Sequence, residues 1–158
     1  MKFANHHINL NLEIENSLLD ELYQYGLSHY PNEYGGLLIG RYSSDRKTAL
    51  VEQTILPKRY KATRYFFERG SDGLQERLDE YYKREPKLFY LGEWHTHPGG
   101  PIEPSERDKS TMKELVKHKD VYINNPIMLI LAITKTDYKL GFYVQCQNRL
   151  HFYQQKNP

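Results

Sequence analysis

Between residues 8 and 14 the chain alternates apolar and polar positions, Ile8-Asn9-Leu10-Asn11-Leu12-Glu13-Ile14. This period-two pattern predicts a half-buried strand. The period then changes. Leu18, Leu19, Leu22 and Tyr23 recur at helical spacing behind Asn16 and Ser17, either of which can cap a helix over 16–29 that Pro31 stops. Strands are expected over 34–42 and 48–56, joined by the polar turn 43–47, and a short one over 65–68. Ser71 is placed to cap a second helix to about Lys83, with Leu74, Leu78 and Tyr81 or Tyr82 turned inward. An aromatic and apolar strand over 89–94 follows. Pro98, Gly99, Gly100, Pro101 and Pro104 then force a turn, and Ser105 opens a third helix to about Lys117. The unbroken apolar run over 127–134 reads as a central strand. Strands over 140–147 and 150–154, with a tight hairpin at Asn148-Arg149, close the sheet, and the tail 155–158 is expected to fray. No internal repeat or linker interrupts this order. The expectation is a single α/β domain over residues 1–158, a mixed, curved β-sheet flanked by helices.

Composition narrows the picture. At 158 residues the chain has one domain's length, and 39% hydrophobic and 13% aromatic content suffice for a core. Its 14 tyrosines can pack rings while keeping hydroxyls wet, which suggests a single-layer core with amphipathic edges. A formal net charge of +2 makes no electrostatic case for nucleic acid. The run 57–64 is basic with interleaved Tyr60 and reads as a solvated loop; a nucleic-acid contact and a substrate contact are the alternatives. No apolar run is long enough for a membrane span, and Met1 to His7 lack the apolar core of a secretory signal. One cysteine, Cys146, excludes an internal disulfide and a cysteine-rich zinc finger, and suits the cytoplasm. It reads as a small core residue, and His6 and His7 as surface residues.

The chemistry concentrates between Glu93 and Asp108. His95 and His97 lie two apart on a strand and so share a face, with Thr96 turned away. Ser105 and Asp108 lie three apart at a helix start, so both can face back towards the histidines. The same Ser105-x-x-Asp108 spacing is that of a capping box. His95, His97 and Asp108 make three candidate ligands where a structural zinc site takes four, which leaves a position for water. Two imidazoles and a carboxylate suit zinc, and iron(II) oxygenases use a similar triad.

With Glu33-Tyr34-Gly35-Gly36-Leu37-Leu38-Ile39-Gly40 upstream and His95-Thr96-His97, seven residues, Ser105, two residues, Asp108 downstream, the chain resembles the JAB/MPN metalloprotease family over residues 8–153. The resemblance implies a cytidine-deaminase-like α/β fold and one Zn2+ ion. It implies that His95, His97 and Asp108 are the zinc ligands, that Glu33 is the general base, and that Ser105 supports the oxyanion. Glu93, two residues before His95, competes with Glu33 for the base or orients a ligand histidine from behind. Glu103 is expected to be solvated.

The sequence around His95 is most similar to the prokaryotic branch, including the deconjugating enzymes of bacterial antiphage operons. That implies a zinc-dependent isopeptidase or peptidase acting after the C-terminal tail of a cGAS-like nucleotidyltransferase (CBASS type) or of a ubiquitin-like protein (Bil type). E1- and E2-like enzymes of the same operon would be its partners, with no nucleic acid and no membrane involved. The tail would bind extended, by strand addition. The alternatives are a non-catalytic MPN scaffold, since many family members have lost their ligands, and a zinc-dependent nucleic-acid hydrolase.

Overall fold

The computed structural model describes residues 1–118 and 123–156. In chain order its elements are β1 (Lys2–Asn5), β2 (Leu10–Ile14), α1 (Asn16–His29), β3 (Gly35–Tyr42), β4 (Thr48–Ile55), β5 (Tyr60–Thr63) and β6 (Phe66–Arg69). Then come α2 (Leu74–Tyr82), β7 (Phe89–Pro98), α3 (Glu106–Lys117), β8 (Ile127–Ile133), β9 (Tyr138–Cys146), β10 (Arg149–Phe152) and β11 (Gln154–Gln155). Nine strands form one mixed sheet in the order β10-β9-β8-β7-β3-β4-β2-β1-β11, with parallel pairs at β7 with β8 and β2 with β4. The fold class is as expected: a mixed, curved sheet with helices against it.

The sheet closes nearly on itself. β10 pairs with β9 at one edge, and β11, two residues later, pairs with β1 at the other. Tyr153 lies between them and donates its N–H to Phe142 O at 2.9 Å. This curvature places the main core inside, where α1 presents Leu18, Leu19 and Leu22 to Leu129, Leu131 and Ile133 of β8. Two smaller clusters lie on the outer face. Leu74 of α2 packs with Leu37, Ile39 and Ile55, and Met112 of α3 packs with Met128 and Ile130. Apolar side chains are therefore packed on both faces of the sheet, not in the single layer suggested by the tyrosine content. Strand β8 is covered on both sides, which is why its seven residues are all apolar and all buried.

Several expectations are corrected. The strand β1 carried no alternation long enough to be read, because only Phe3 and Ala4 are buried in it. The basic run around Tyr60 is not a loop: β5 pairs with β6 as a hairpin turning at Arg64-Tyr65. Helix α2 starts at Leu74 behind Gly73, not at a Ser71 cap, and α1 is preceded by Glu15 with no side-chain cap. The last hairpin turns at Gln147-Asn148, one residue earlier than expected, with both in the left-handed region. Gln155 is paired with Phe3, so the tail is ordered that far, and 157–158 lie outside the described residues. Cys146 is half-buried at the end of β9, not a core residue, whereas His6 and His7 are exposed as expected. No described helix is long and apolar enough to cross a membrane.

Leu129, with no exposed surface, packs under α1. Leu129→Ala should therefore lower stability by about 2–5 kcal/mol, seen as a lower urea midpoint at unchanged slope.

Candidate metal centre

Strand β7 carries the two histidines. A register shift between Leu38 and Ile39 of the neighbouring β3 leaves Leu91 as an extra residue in β7. Gly92 completes this bulge at φ 150°, where an added Cβ would stand 1.9 Å from Ile127 O. Only glycine fits. Beyond it the alternation is regular. Trp94 and Thr96 enter the inner core, and Glu93, His95 and His97 face the cleft outside. The fully buried Thr96 hydroxyl accepts from Tyr34 N at 3.0 Å, and Thr96 N donates to Tyr34 O at 2.8 Å.

Those bonds bring the start of β3 alongside. Gly35 pairs with His95, and continuing the antiparallel register places Glu33 opposite His97. A Cβ on Gly35 would meet Trp94 O at 2.2 Å and His95 Cβ at 2.9 Å, so glycine is what allows the two strands to meet beside the histidines. Glu33 is buried at the cleft floor, 9% exposed, and makes no side-chain hydrogen bond among the described residues. Burial raises its pKa, opposed by the nearby His95 and His97 and reinforced by Asp108.

Helix α3 supplies the third donor. Ser105 is the N-cap. Its hydroxyl accepts from Asp108 N at 3.2 Å, while Asp108 Oδ2 accepts from Ser105 N and Ser105 Oγ, both at 2.7 Å. The capping box is real, and it is also what aims the Asp108 carboxylate. His95 Nε2 stands 3.1 Å from His97 Nε2 and 3.3 Å from Asp108 Oδ1, and His97 Nε2 stands 3.6 Å from Asp108 Oδ2. Pro101 O lies 2.8 Å from His97 Nδ1. A carbonyl only accepts, so Nδ1 holds a proton, and Nε2 is the atom that a neutral His97 has left to bind a cation. Burial penalises the Asp108 carboxylate. Hydrogen bonds to His95 and His97, the charge of His95, and the Ser105 hydrogen bond nevertheless hold its pKa well below the usual range. Two imidazole nitrogens and an ionised carboxylate converge in this way, and the donor set fits a divalent cation such as zinc with a coordination position to spare.

Glu93 shares the face, as expected, but its carboxylate is occupied. Arg69 reaches Glu93 Oε1 at 2.5 Å through Nη2 and at 3.2 Å through Nε, and the Tyr90 hydroxyl donates to the same oxygen at 3.1 Å. Glu103 is exposed on the cleft rim.

The cleft has a volume of about 680 Å3. One wall is α3, and another is the β5–β6 hairpin through Arg64, Tyr65, Phe66 and Phe67. These four were not singled out as site residues. Their signal was the basic, aromatic run around Tyr60, for which substrate contact was one alternative. The Arg107 guanidinium joins the two walls. It stacks on Phe66 at 3.9 Å and pairs with Glu68 at 3.2 Å.

Strand, loop and helix thus define an α/β domain that presents an open two-histidine, one-carboxylate donor set to a cleft. A profile described as prokaryotic homologs of the JAB domain matches residues 15–142, and the chain belongs to that family. It is similar to a CD-NTase/cGAS isopeptidase of Enterobacter hormaechei subsp. hoffmannii, 40% identical over 120 residues that make up 75% of this chain and 66% of the relative. A protein of the same name from Pseudomonas aeruginosa is 36% identical over 56% of each chain. The probable metalloprotease y4qB of Sinorhizobium fredii is 28% identical over 63% of this chain and 62% of its own. The chain spans about two thirds or less of the length of these curated relatives. The solution structure of protein DSY2949 from Desulfitobacterium hafniense superposes with a TM-score of 0.63 over 89% of this chain and 88% of that one. At 18% identity that likeness concerns the fold.

Burial lowers the pKa of His97. The Asp108 hydrogen bond, Pro101 O and the charge of Glu33 outweigh it and leave the pKa above 6.5. A proton on Nε2 excludes a metal from that position. Zinc affinity, measured by calorimetry, should therefore fall as the pH is lowered through a value above 6.5. Affinity that stays flat across that range would remove His97 from the ligand set.

Proposed function

We propose that this chain is a zinc-dependent isopeptidase or peptidase. It cleaves the amide bond that follows the C-terminal tail of a cGAS-like nucleotidyltransferase, in a bacterial antiphage system. The reading rests on one observation: a buried Glu33 carboxylate with no hydrogen-bond partner among the described residues, beside three converging donors on His95, His97 and Asp108. The relatives that carry the name CD-NTase/cGAS isopeptidase favour the nucleotidyltransferase over a ubiquitin-like protein as the owner of the tail.

His95, His97 and Asp108 would hold the ion. Bound there, zinc supplies a water acidified to a pKa near 7 and polarises the scissile carbonyl. Glu33 would take a proton from the attacking water and return it to the leaving amine nitrogen as the C–N bond breaks; its desolvated setting, which raises its pKa, suits a group that must both take and return a proton. Glu93 is unsuited to that task because Arg69 and Tyr90 hold its carboxylate. It braces the floor of the cleft beside His95. Ser105 has a single hydroxyl proton, directed at Asp108 Oδ2. To support the oxyanion it swings that proton towards the carbonyl oxygen, while Ser105 N keeps Asp108 in place. The cleft between α3 and the hairpin accommodates an extended segment of chain better than a folded surface.

The test substrate is a cGAS-like nucleotidyltransferase whose C-terminal carboxyl group is joined to the ε-amine of a dye-labelled lysine. Zinc-loaded protein should release the dye. Glu33→Gln should lower kcat by about 10²–10⁴-fold with zinc content intact, and His95→Ala should lose both zinc, by emission spectrometry, and turnover. Failure of the zinc-loaded wild type to cut this conjugate, while cutting a ubiquitin-like one, would reassign the tail. Turnover surviving in Glu33→Gln would reject the mechanism.

A further inference from the structure

The β5–β6 hairpin does more than wall the cleft, because it touches both the segment that carries Glu33 and the helix that carries Asp108. On one side Thr63 O accepts from Glu33 N at 2.8 Å. On the other, Phe66 and Glu68 hold Arg107, the residue next to Asp108 in α3. The segment bearing Glu33 is tied on its far side by the two Tyr34–Thr96 hydrogen bonds and on its near side by Asn32 N donating to His29 O at 2.9 Å, which leaves the Glu33 peptide itself to the hairpin. It precedes β3, and Glu33 lies outside that strand's ladder. What packs on it is aromatic. Tyr34 stacks face to face on His29 at 3.6 Å and meets Tyr60 of β5 edge-on at 5.1 Å and Phe67 of β6 at 5.9 Å. Tyr60 and Phe67 contact each other at 6.1 Å, so both hairpin strands close over the ring that follows Glu33.

We propose that the β5–β6 hairpin is a positioning element for Glu33, acting through the Thr63 carbonyl and the seating of Tyr60 and Phe67 on Tyr34. The inference rests on the role proposed for Glu33. Its physical basis is that the base must stand within hydrogen-bond reach of the water it deprotonates, and a displacement of about 1 Å at a reacting group can cost about a hundredfold in rate. A buried carboxylate with no hydrogen bond among the described residues cannot hold that position by itself, so its backbone must do so. The N–H of Glu33 is the nearest handle, and the hairpin holds it. Arg107 fixes the other side of the same hairpin to α3, so the hairpin links the segment bearing Glu33 to the helix bearing Asp108. A chain bound along the hairpin would therefore act on Glu33 as well as on its own affinity.

Tyr60 is 41% exposed, so Tyr60→Ala can be made without opening the core. In the full zinc-loaded chain, two quantities are read: kcat and KM on the dye-labelled nucleotidyltransferase conjugate, and deuterium exchange at the Glu33 amide. Tyr60→Ala should lower kcat roughly 10- to 100-fold at near wild-type KM and zinc content, and speed exchange at Glu33. Tyr60→Phe, which keeps the ring, should restore both. Phe67→Leu, with Phe67→Tyr as its conservative partner, repeats the experiment from β6 should Tyr60→Ala fail to fold. A raised KM at wild-type kcat, or an unchanged Glu33 amide, would overturn the inference and leave the hairpin a simple substrate contact. Turnover that survives Glu33→Gln would instead overturn the proposed function.

Discussion

Strand β7 is held between an antiparallel neighbour, β3, and a parallel one, β8, and the corner where His95, His97 and Asp108 converge depends on that double constraint. Alternation along a strand is strict, so a one-residue slip would turn His95 and His97 into the core and Thr96 out to the cleft. The slip is prevented from the inner face. Trp94 is buried inside and donates Nε1–H to Thr54 Oγ1 at 2.8 Å, and Thr96 is tied to Tyr34 by two hydrogen bonds. The bulge at Gly92 sets the phase from which this alternation counts. Because β8 is packed by α1 on one side and α3 on the other, the same burial that locks β7 also fixes where α3 begins.

The corner itself shows one set of bonds serving two purposes. Ser105 and Asp108 cap α3, as helix starts commonly require, and the cap holds the carboxylate against two imidazoles. Structural and chemical roles are not alternatives here. A helix N-terminus carries partial positive charge, which favours the ionised form of Asp108 at the same position. The result is an anionic oxygen and two imidazole nitrogens presented together to a cleft.

The family signature was fully legible. His95, His97, Ser105 and Asp108 occur within one strand, turn and helix, and local spacing suffices to place them on facing surfaces. So was most of the sheet, since the central strands carry long apolar or alternating runs. What was not legible has a common cause. β1 is held by pairing with β2 and β11, the β5–β6 hairpin by the rings of His29 in α1 and of Tyr34 just before β3, and the near-closure of the sheet by strands at opposite ends of the order. None of these leaves a period in the residues concerned. The basic character of the run around Tyr60 pointed to solvent, whereas its aromatic residues were facing Tyr34.

The amino-acid sequence by itself determined the donor set, because ligands two and three residues apart share a face through backbone geometry alone. It favoured Glu33 over Glu93 only through the resemblance of the Glu33–Gly40 segment, and the surroundings of the two carboxylates are visible only in the tertiary structure. Glu93 meets Arg69 and Tyr90, which arrive from β6 and from across the Gly92 bulge, and Glu33 meets a buried corner with no hydrogen-bond partner for its carboxylate among the described residues. Burial and charge pairing are properties of distant segments brought together, and no spacing along the chain encodes them.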